Sequence, residues 1–417
     1  MRILFVIHQF FPEFSGGTER VTLQMARVLQ HAGHAVHVLT CRVASPLPTW
    51  IEEPDVAQAW RYVHEGVPVT AIARKRLPAG AEFGFDVDVD LARELTEWMR
   101  REQFHVAHVM HTMRMATAVM AIQQNQLPYV VSMTDFFLAC HQINLLTVQG
   151  SACNGPVGGR QCAQECLVGI WTPHGLQHRY AQAQALLAGA ALRCVPSSFV
   201  QAHAHTAFPD LSFRIVPHGL DLLTMAQSGP IQAGSNPRQR LVLAYAGTLI
   251  PQKGLHVLIE ALALIPDADL QLLVMGGRHG DPAYHQKIDS LMAADHRVKW
   301  MGELDRQGLF QALRQCDLLC IPSQVPETFS LIFHEAAALG VPTLVADHGA
   351  PADVVRLAQA GACVKPGSPS EWAQAVQNVL EDRSLLEQWR KRLPMPARIE
   401  EEGFFFESLY RTIALLE

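Results

Sequence analysis

Short apolar segments typical of buried strands alternate with segments of helical periodicity, and this alternation starts again after residue 240. In the first half, strands are predicted at 3–7, 35–40, 67–71, 106–110, 129–133 and 194–196, with a helix at 18–32. In the second half, strands are predicted at 241–246, 270–275, 298–300, 317–321 and 343–346. Such alternation is typical of doubly wound parallel sheets, which bind ligands beyond the carboxyl ends of their strands. We therefore predict an α/β protein with two such sheets.

The length and composition of the chain fit two domains. A chain of 417 residues exceeds what one hydrophobic core usually spans. Hydrophobic residues make up 49% and charged residues 17%, which suits sheets that are buried on both faces. We place the first domain at 1–226, a polar linker rich in Gly and Pro at 227–240, the second domain at 241–398 and a terminal helical segment at 399–417.

Composition also limits the partners and the location that we expect. The formal net charge of −6 gives no electrostatic case for a nucleic acid partner. No apolar run approaches the roughly 20 residues needed to span a bilayer, and residues 1–7 predict a first strand and not a secretory signal. We expect a cytoplasmic protein, in which the nine cysteines would not form a disulfide framework.

Two carboxylates flank a predicted loop-to-helix junction in the second half. Glu327 follows the strand at 317–321, and Glu335 lies about two turns into the next helix. The helix start offers unpaired N–H groups and a positive dipole end, which suit a phosphate. An anion flanked by two hydroxyl-accepting carboxylates describes a sugar nucleotide; the structural alternative is two carboxylates in surface contacts. The intervening candidate donor-binding residues are Thr328, Phe329, Ser330 and Leu331.

With three further motifs, this segment resembles the retaining glycosyltransferases of family 4. The stretch 245–254 (YAGTLIPQKG) is similar to the donor loop of that family, and 217–221 (PHGLD) to its interdomain Pro-x-Gly-Val-Asp. Residues 16–19 (GGTE) resemble its amino-terminal Gly-Gly-x-Glu loop. The resemblance implies a GT-B fold: two Rossmann-like domains face a cleft, and the C-terminal helix returns to the first domain.

The resemblance also implies roles on the donor side. Glu327 would face the sugar, Glu335 the ribose, and Lys253 would hold the donor diphosphate. Many family members carry Arg where this chain has Thr248, which can donate a hydrogen bond but supplies no charge.

Three glycines and one histidine are the remaining candidate residues, two on the donor side and two at the interdomain crossover. Gly16 and Gly17 let the backbone approach a ligand and permit a positive φ. His218 and Gly219 would shape the interdomain crossover.

On the acceptor side the resemblance implies a helpful histidine after a mid-domain strand. We assign His111, because His108 occupies the strand itself. Asp135 matches the His-Asp step of the family, although Thr134 replaces the histidine, and its carboxylate would orient the acceptor hydroxyl. The family uses no obligatory protein nucleophile, and protein groups neutralise its donor diphosphate. We therefore expect no catalytic divalent metal.

A segment at about 136–173 lacks strong periodicity and holds Cys140, Cys153, Cys162 and Cys166. Four thiolates in a loop-rich segment favour a closed tetrahedral zinc site with a structural role. The spacing is looser than paired Cys-x2-Cys, so unbound thiols remain an alternative, as do disulfides or an iron–sulfur cluster. His141 and His174 are candidate replacement ligands.

We predict a retaining glycosyltransferase that moves a sugar from a nucleotide diphosphate sugar to a glycan or lipid-linked acceptor, in bacterial surface polysaccharide or glycoconjugate synthesis. The alternatives are a sugar-nucleotide-binding relative without transferase activity, favoured by Thr248, and a sugar-nucleotide epimerase. A basic–aromatic stretch suggests peripheral contact with the inner face of the cytoplasmic membrane, against the alternative of a solvated loop. Its members are Arg74, Lys75, Arg76, Leu77, Phe83 and Phe85.

Overall fold

The computed structural model describes residues 1–42, 59–169, 171–227 and 240–414, which form two compact units. The first unit is Met1–Gly219 with Ile399–Glu417, and the second is Leu220–Arg398. The first unit thus ends before the predicted boundary at 226, because Leu220 and Met225 pack into a core of the second unit. Of the predicted linker, residues 228–239 lie outside the described residues.

The first unit contains an eight-stranded sheet in the order β3-β4-β2-β1-β5-β6-β7-β8. Its strands are β1 (Arg2–Val6), β2 (Ala35–Arg42), β3 (Ala59–His64), β4 (Val67–Ala73), β5 (Val106–Val109), β6 (Tyr129–Ser132), β7 (Leu192–Val195) and β8 (Arg214–Ile215). Neighbouring strands are parallel except for the antiparallel pair β3 and β4. We did not predict β3, because only Ala59 of this edge strand is buried, half-buried and exposed residues alternate along the rest, and no continuous apolar run forms.

The helices of the first 219 residues are α1 (Gly17–His31), α2 (Val89–Glu102), α3 (Ala116–Gln124), α4 (Arg160–Glu165), α5 (Pro173–Ala188) and α6 (Ser198–Ala207). Several begin at a residue whose side chain caps the helix. Asp88, Thr172 and Ser197 accept hydrogen bonds from the backbone N–H groups of Leu91, Gly175 and Val200.

The second unit contains a parallel six-stranded sheet in the order β11-β10-β9-β12-β13-β14. Its strands are β9 (Leu241–Ala246), β10 (Leu270–Met275), β11 (Val298–Gly302), β12 (Leu318–Ile321), β13 (Thr343–Ala346) and β14 (Gly361–Val364). Its helices are α7 (Leu222–Gln227), α8 (Leu255–Ala263), α9 (Pro282–Ala294), α10 (Arg306–Leu313), α11 (Leu331–Ala338), α12 (Gly349–Ala358), α13 (Pro369–Glu381) and α14 (Ser384–Arg390).

Alternate residues of β9 belong to two separate hydrophobic clusters. Leu241, Leu243 and Tyr245 join one cluster, whereas Val242 and Ala244 join the other. Since successive side chains of a strand point to opposite faces, this sheet is buried on both sides. The predicted α/β fold class is confirmed.

Helix α15 (Ile399–Ala414) packs within the first unit. Tyr410 is fully buried, and its hydroxyl lies 2.5 Å from Nδ1 of His108 on β5. The Phe406 ring lies 4.7 Å from the His108 ring. The prediction that the C-terminal helix returns to the first domain is confirmed. Among the helices of the described residues, none has both the length and the apolar character needed to cross a membrane.

Candidate functional site

Lys253 and Glu327 meet at the carboxyl ends of β9 and β12. Lys253 ends a single 3-10 turn after β9, and Glu327 lies in the loop between β12 and α11. The ammonium Nζ of Lys253 lies 2.7 Å from Oε1 of Glu327, and the Ser323 hydroxyl donates to the same oxygen at 2.6 Å. The geometry is that of a charge-assisted pair at the edge where parallel sheets bind ligands.

Glycine at position 254 lets the Lys253 loop approach the end of β12. Gly254 has φ +72°, and a Cβ added there would lie 1.9 Å from the carbonyl oxygen of Pro322. The two loops are also joined by a hydrogen bond of 2.7 Å from Gln324 N to Gln252 O. A side chain at Gly254 would therefore push the lysine loop away from Glu327.

A second glycine brings α12 against the backbone of Glu327. Gly349 has φ +79°, and a Cβ there would lie 2.6 Å from the Glu327 nitrogen. Ala350 N donates to Glu327 O at 2.9 Å. Glu327 is therefore fixed through contacts to both its backbone and its side chain.

The charges of this pair support each other. Burial pulls the pKa of Glu327 upward, but the Lys253 ammonium and the hydrogen bonds from Lys253 and Ser323 bring the pKa below its usual value. Burial lowers the pKa of nearby His348, whose Nε2 donates to Ser323 O at 2.9 Å. Glu327 is thus an anion at neutral pH and His348 is neutral.

Glu335 lies in the second turn of α11, and it is not a solvated surface residue. Only 2% of it is exposed, and its Oε1 lies 3.4 Å from Nη2 of Arg306 on α10. Arg306 thus supplies a cation at this carboxylate, and its guanidinium also lies 5.0 Å from the centre of the Phe310 ring.

The residues between the two carboxylates form an uncapped helix start. Ser330 precedes α11 with φ +67° and its side chain makes no cap hydrogen bond. The buried Phe329 ring stacks at 4.0 Å on His334, while Thr328 and Leu331 are half-buried. The backbone of this turn, more than its side chains, is what a ligand at the helix start would meet.

Thr248 lies in the loop that leads from β9 to Lys253. Its carbonyl oxygen accepts from the Tyr245 hydroxyl at 3.1 Å and from Ile250 N at 2.9 Å. Thr248 therefore shapes this loop through its backbone.

In the first unit, His111 and Asp135 form a second charge-assisted pair after β5 and β6. His111 Nε2 lies 2.7 Å from Asp135 Oδ2, and His111 Nδ1 accepts from Met113 N at 3.1 Å. Asp135 Oδ1 accepts from Phe137 N at 2.9 Å. Burial pulls the pKa of Asp135 upward, but His111 outweighs burial and the pKa lies below its usual value. Both ring nitrogens of His111 are therefore engaged, so His111 can orient Asp135.

His8, to which we assigned no role from the sequence, belongs to the same cluster. Its ring lies 3.9 Å from the His111 ring, and its Nε2 lies 3.9 Å from Glu19 Oε1. Nδ1 of His8 is buried, and no residue in the described part of the chain bonds to it. Burial, then the charges of His111 and Arg114, hold the pKa of His8 well below its usual value. Its place after β1, at the same sheet edge as His111, was the available signal.

Gly16 and Gly17 begin α1 beside this cluster. Gly16 has φ −71°, so positive φ does not explain it; instead, a Cβ there would lie 2.6 Å from Glu19 Oε2. Glu19 is buried, and its Oε1 has no hydrogen-bond partner among the residues that the structure describes. Burial raises the pKa of Glu19. Gly16 therefore leaves space for the carboxylate of Glu19, which folds back toward the start of the helix.

His218 and Gly219 both bond to Glu402 of α15. His218 Nδ1 lies 3.2 Å from Glu402 Oε1, and Gly219 N donates to Oε2 at 2.7 Å. The motif that we assigned to the crossover thus anchors α15 at the last residues before the second unit.

The basic–aromatic stretch is largely committed to internal contacts. Its paired or buried members are Arg74 (2.9 Å from Glu82), Arg76 (3.1 Å from Glu94), Leu77 and Phe85. Lys75 and Phe83 are the exposed members. Carboxylates thus neutralise two of the three cations that the membrane hypothesis requires.

The four cysteines of the loop-rich segment line one small cavity, together with His141. All four are free thiols, so the disulfide alternative is not formed in this structure. Burial and then Cys140, Cys153 and Cys166 raise the pKa of the Cys162 thiol to about 12. Within the described ranges, no three His, Cys, Asp or Glu side chains already stand in the geometry of a metal site. His174 does not line this cavity.

Two family models match the chain in succession. The model "Glycosyltransferase Family 4" matches residues 15–222, and "Glycosyl transferases group 1" matches residues 231–394. A phosphatidyl-myo-inositol mannosyltransferase of Mycolicibacterium smegmatis is 25% identical over 389 residues, which is 92% of this chain and 86% of that protein. A D-inositol 3-phosphate glycosyltransferase of Jonesia denitrificans is 34% identical, but the match spans only 36% of this chain and 37% of that protein.

Solved structures share the fold over the whole chain. A sucrose-phosphate synthase from Thermosynechococcus elongatus superposes with a TM-score of 0.71 at 19% identity, covering 100% of both chains. Anabaena HepE, in complex with UDP and glucose, superposes with a TM-score of 0.69 at 17% identity, covering 99% of this chain and 100% of that chain. At these identities the likeness concerns the fold.

Proposed function

Because the chain belongs to the glycosyltransferases of family 4, we propose that it transfers a sugar from a nucleotide diphosphate sugar to a hydroxyl acceptor with retention of anomeric configuration. The observation that carries this proposal is the Lys253–Glu327–Ser323 cluster at the carboxyl ends of β9 and β12. It combines a cation for a phosphate with a carboxylate for sugar hydroxyls, on the sheet edge where such folds bind ligands.

Lys253 has the central role in departure of the nucleotide. Negative charge builds on the diphosphate as its bond to the anomeric carbon breaks, and an ammonium already in place stabilises this charge without reorganisation. The contact with Glu327 keeps the lysine side chain ordered before the donor arrives. Lys253 and Ser323 both use Oε1 of Glu327, and we propose that Oε2 accepts a hydroxyl of the donor sugar.

Glu335 is the proposed acceptor of ribose hydroxyls. Its side chain forms an ion pair with Arg306 at 3.4 Å, and we propose that this contact orients the carboxylate before the nucleotide binds. The helix start at Leu331 supplies backbone N–H groups for the diphosphate. Together with Lys253, these groups offset the absence of an arginine at Thr248.

The proposed acceptor side is the His8–His111–Asp135 cluster of the first unit. Asp135 orients the attacking hydroxyl, while His111 holds Asp135 through the 2.7 Å contact. The new bond forms between the acceptor oxygen and the anomeric carbon as the bond to the diphosphate breaks. The hydroxyl proton passes to the departing phosphate, so no protein nucleophile is required.

We propose a glycan or a lipid-linked hydroxyl compound as the acceptor. The names of the two bacterial relatives make inositol phosphates and phosphatidylinositol the first compounds to test. UDP-sugars are the first donors to test, because HepE was solved with UDP-glucose. A protein cation at the diphosphate also leads us to propose that transfer needs no added divalent metal, so activity without added metal should equal activity in Mg²⁺.

One experiment tests both donor use and stereochemistry. Thermal unfolding is measured with UDP-, GDP-, ADP- and dTDP-sugars, because a ligand that binds the native state raises its stability. The stabilising donor is then incubated with each acceptor, and NMR coupling constants report the anomeric configuration of the product. Retained configuration supports the proposal, and inversion contradicts it. Stable donor binding without any transfer is what the binding-only alternative predicts, and conversion of the donor sugar without an acceptor is what the epimerase alternative predicts.

A further inference from the structure

The cysteine segment of the first unit surrounds a cavity of about 20 Å³. Its walls include Cys140, Cys153, Cys162, Cys166, His141 and His203. This volume has room for one water-sized occupant. The glycosyltransfer proposed above uses none of these side chains, so the cavity needs an explanation of its own.

Separate stretches of backbone bring the four thiols to the cavity. Cys162 lies on α4 and Cys166 at its C-terminal end, four residues later and hence on the same helix face. Cys140 follows a turn in which its N–H donates to Phe136 O at 2.7 Å. Cys153 enters from the loop between them, where its Sγ accepts from Gly155 N at 3.3 Å. A backbone N–H donor to sulfur stabilises a thiolate and is a usual partner of metal-bound cysteine.

His141 is a second, independent observation at the same cavity. Only 6% of the residue is exposed, and Nε2 bonds to Cys166 O at 3.0 Å. Nδ1 is buried, and nothing in the described ranges bonds to it. Buried polar atoms normally find a partner, so His141 Nδ1 is the available replacement ligand for a thiolate at this cavity.

Arg179 places a buried positive charge near the cysteine segment. The side chain is buried, and its hydrogen bonds go to the backbone carbonyls of Phe83 and Phe137. No carboxylate of the described chain forms an ion pair with it. Burial lowers the pKa of Arg179 to about 10, and the charges of Cys140, Cys162 and Asp135 partly oppose this shift. A buried cation needs nearby negative charge, which four thiolates around a divalent ion would supply.

We propose that this cavity binds one zinc ion through the thiolates of Cys140, Cys153, Cys162 and Cys166. Zinc accepts four sulfur ligands in a tetrahedral, closed structural site. The sulfurs line the cavity but have not converged on ligand geometry, so binding requires the thiols to turn inward. The ion displaces their protons, which pass to solvent, and no redox change takes place.

The site would stabilise the loop that carries Asp135. Phe136 and Phe137 follow Asp135 directly. The carbonyl oxygen of Phe136 accepts from Cys140 N, and that of Phe137 accepts from the Arg179 guanidinium. Zinc would thereby fix the segment that we assign to the acceptor. This consequence rests on the proposed function, whereas zinc binding itself does not, and metal analysis separates the two.

Metal content is the direct test, with a matched cysteine variant as control. Protein purified without chelator should contain about one zinc per chain. Cys162→Ser should lose it, whereas Cys363→Ser, at a half-buried free cysteine of the second unit, should keep it. Replacement by Co²⁺ should give the absorption of tetrahedral thiolate cobalt. Reduced protein that takes up neither Zn²⁺ nor Co²⁺ and has four freely reacting thiols would overturn the proposal. Bound iron or disulfide-linked cysteines would overturn it as well.

Since Cys162→Ser could fail to fold, wild-type protein provides a second test. Removing zinc with a strong chelator should lower the unfolding temperature, because the free energy of metal binding contributes to folding. Adding Zn²⁺ back should restore the temperature, and donor binding to the second unit should persist throughout. An unfolding temperature indifferent to chelator and to Zn²⁺ would contradict a structural site, even if donor binding were normal.

Discussion

Lys253 and Glu327 are 74 residues apart in the sequence, yet Nζ of the lysine lies 2.7 Å from Oε1 of the glutamate. Gly254 lets the lysine loop approach the end of β12, and Gly349 lets α12 approach the backbone of Glu327. The pair provides a fixed cation and a fixed anion before any ligand binds.

Replacing Lys253 should destabilise the protein in a pH-dependent way. In Lys253→Met, the largely buried Glu327 loses its cation, at a cost of about 1–3 kcal/mol at neutral pH. The pKa of Glu327 is below its ordinary 4.5, so the pair contributes stability above that pH. This contribution is lost as the pH falls through the lowered pKa of Glu327. The unfolding temperatures of wild type and Lys253→Met should then converge.

The control for this prediction is Lys287→Met, which removes an exposed ion pair with Glu260 at 2.9 Å in the same unit. Exposed ion pairs contribute little to stability, so the unfolding temperature of this variant should match that of wild type at every pH. Identical pH profiles for the two lysine variants would contradict the account. Turnover of Lys253→Met should fall on the order of a hundredfold or more.

Glu335→Gln should weaken binding of the nucleotide without changing its stoichiometry. A ribose hydroxyl loses a charged acceptor, which predicts roughly a tenfold or larger increase in the dissociation constant measured by calorimetry. Glu371→Gln, at an exposed carboxylate of the same unit, should bind as wild type does. Equal affinities for the two variants would remove Glu335 from the donor site.

Asp135→Asn should separate transfer from donor binding. The amide keeps the shape of the side chain but loses the charge opposite His111, so the acceptor hydroxyl is oriented less well. Turnover should fall by about a hundredfold, with donor affinity unchanged. Asp210→Asn, at an exposed position of the first unit, should retain turnover. Full turnover in Asp135→Asn would show that this carboxylate does not act on the acceptor.

Tyr410→Phe should destabilise the first unit while sparing the donor site. The buried His108 Nδ1 would lose its partner, at a cost of about 1–3 kcal/mol in the free energy of unfolding. Phe404→Ala alters the same helix at a side chain that is 61% exposed, and it should cost much less. The same unfolding curve for both variants would contradict a stabilising role of the contact between Tyr410 and His108.

The fold could be predicted because most of its strands are recognisable from a short local pattern of residues. Three strands of the second unit, β9, β10 and β13, coincide with the predicted ranges, because buried parallel strands form continuous apolar runs. The edge strands β3 and β14 were missed, since short or half-exposed strands lack such runs. The end of the first unit was misplaced because Met225 belongs to a core formed by residues far along the chain.

The candidate site was only partly predictable, since its geometry depends on contacts distant in sequence. Lys253, Glu327 and Glu335 were assigned roles, but the mutual contact of the first two and the pairing of Glu335 with Arg306 were not foreseen. His8 was missed because its only sequence signal is its position after a strand, which many residues without a functional role share. It gains significance only when its ring is found 3.9 Å from that of His111.

Calorimetric titration with UDP, GDP, ADP and dTDP tests the central claim most directly. We predict that at least one of these nucleotides binds one site on the wild-type chain. Lys253→Met and Glu335→Gln should weaken that binding, and Asp135→Asn should leave it unchanged. Failure of all four nucleotides to bind, or binding that neither second-unit substitution affects, would contradict the assignment of the donor site.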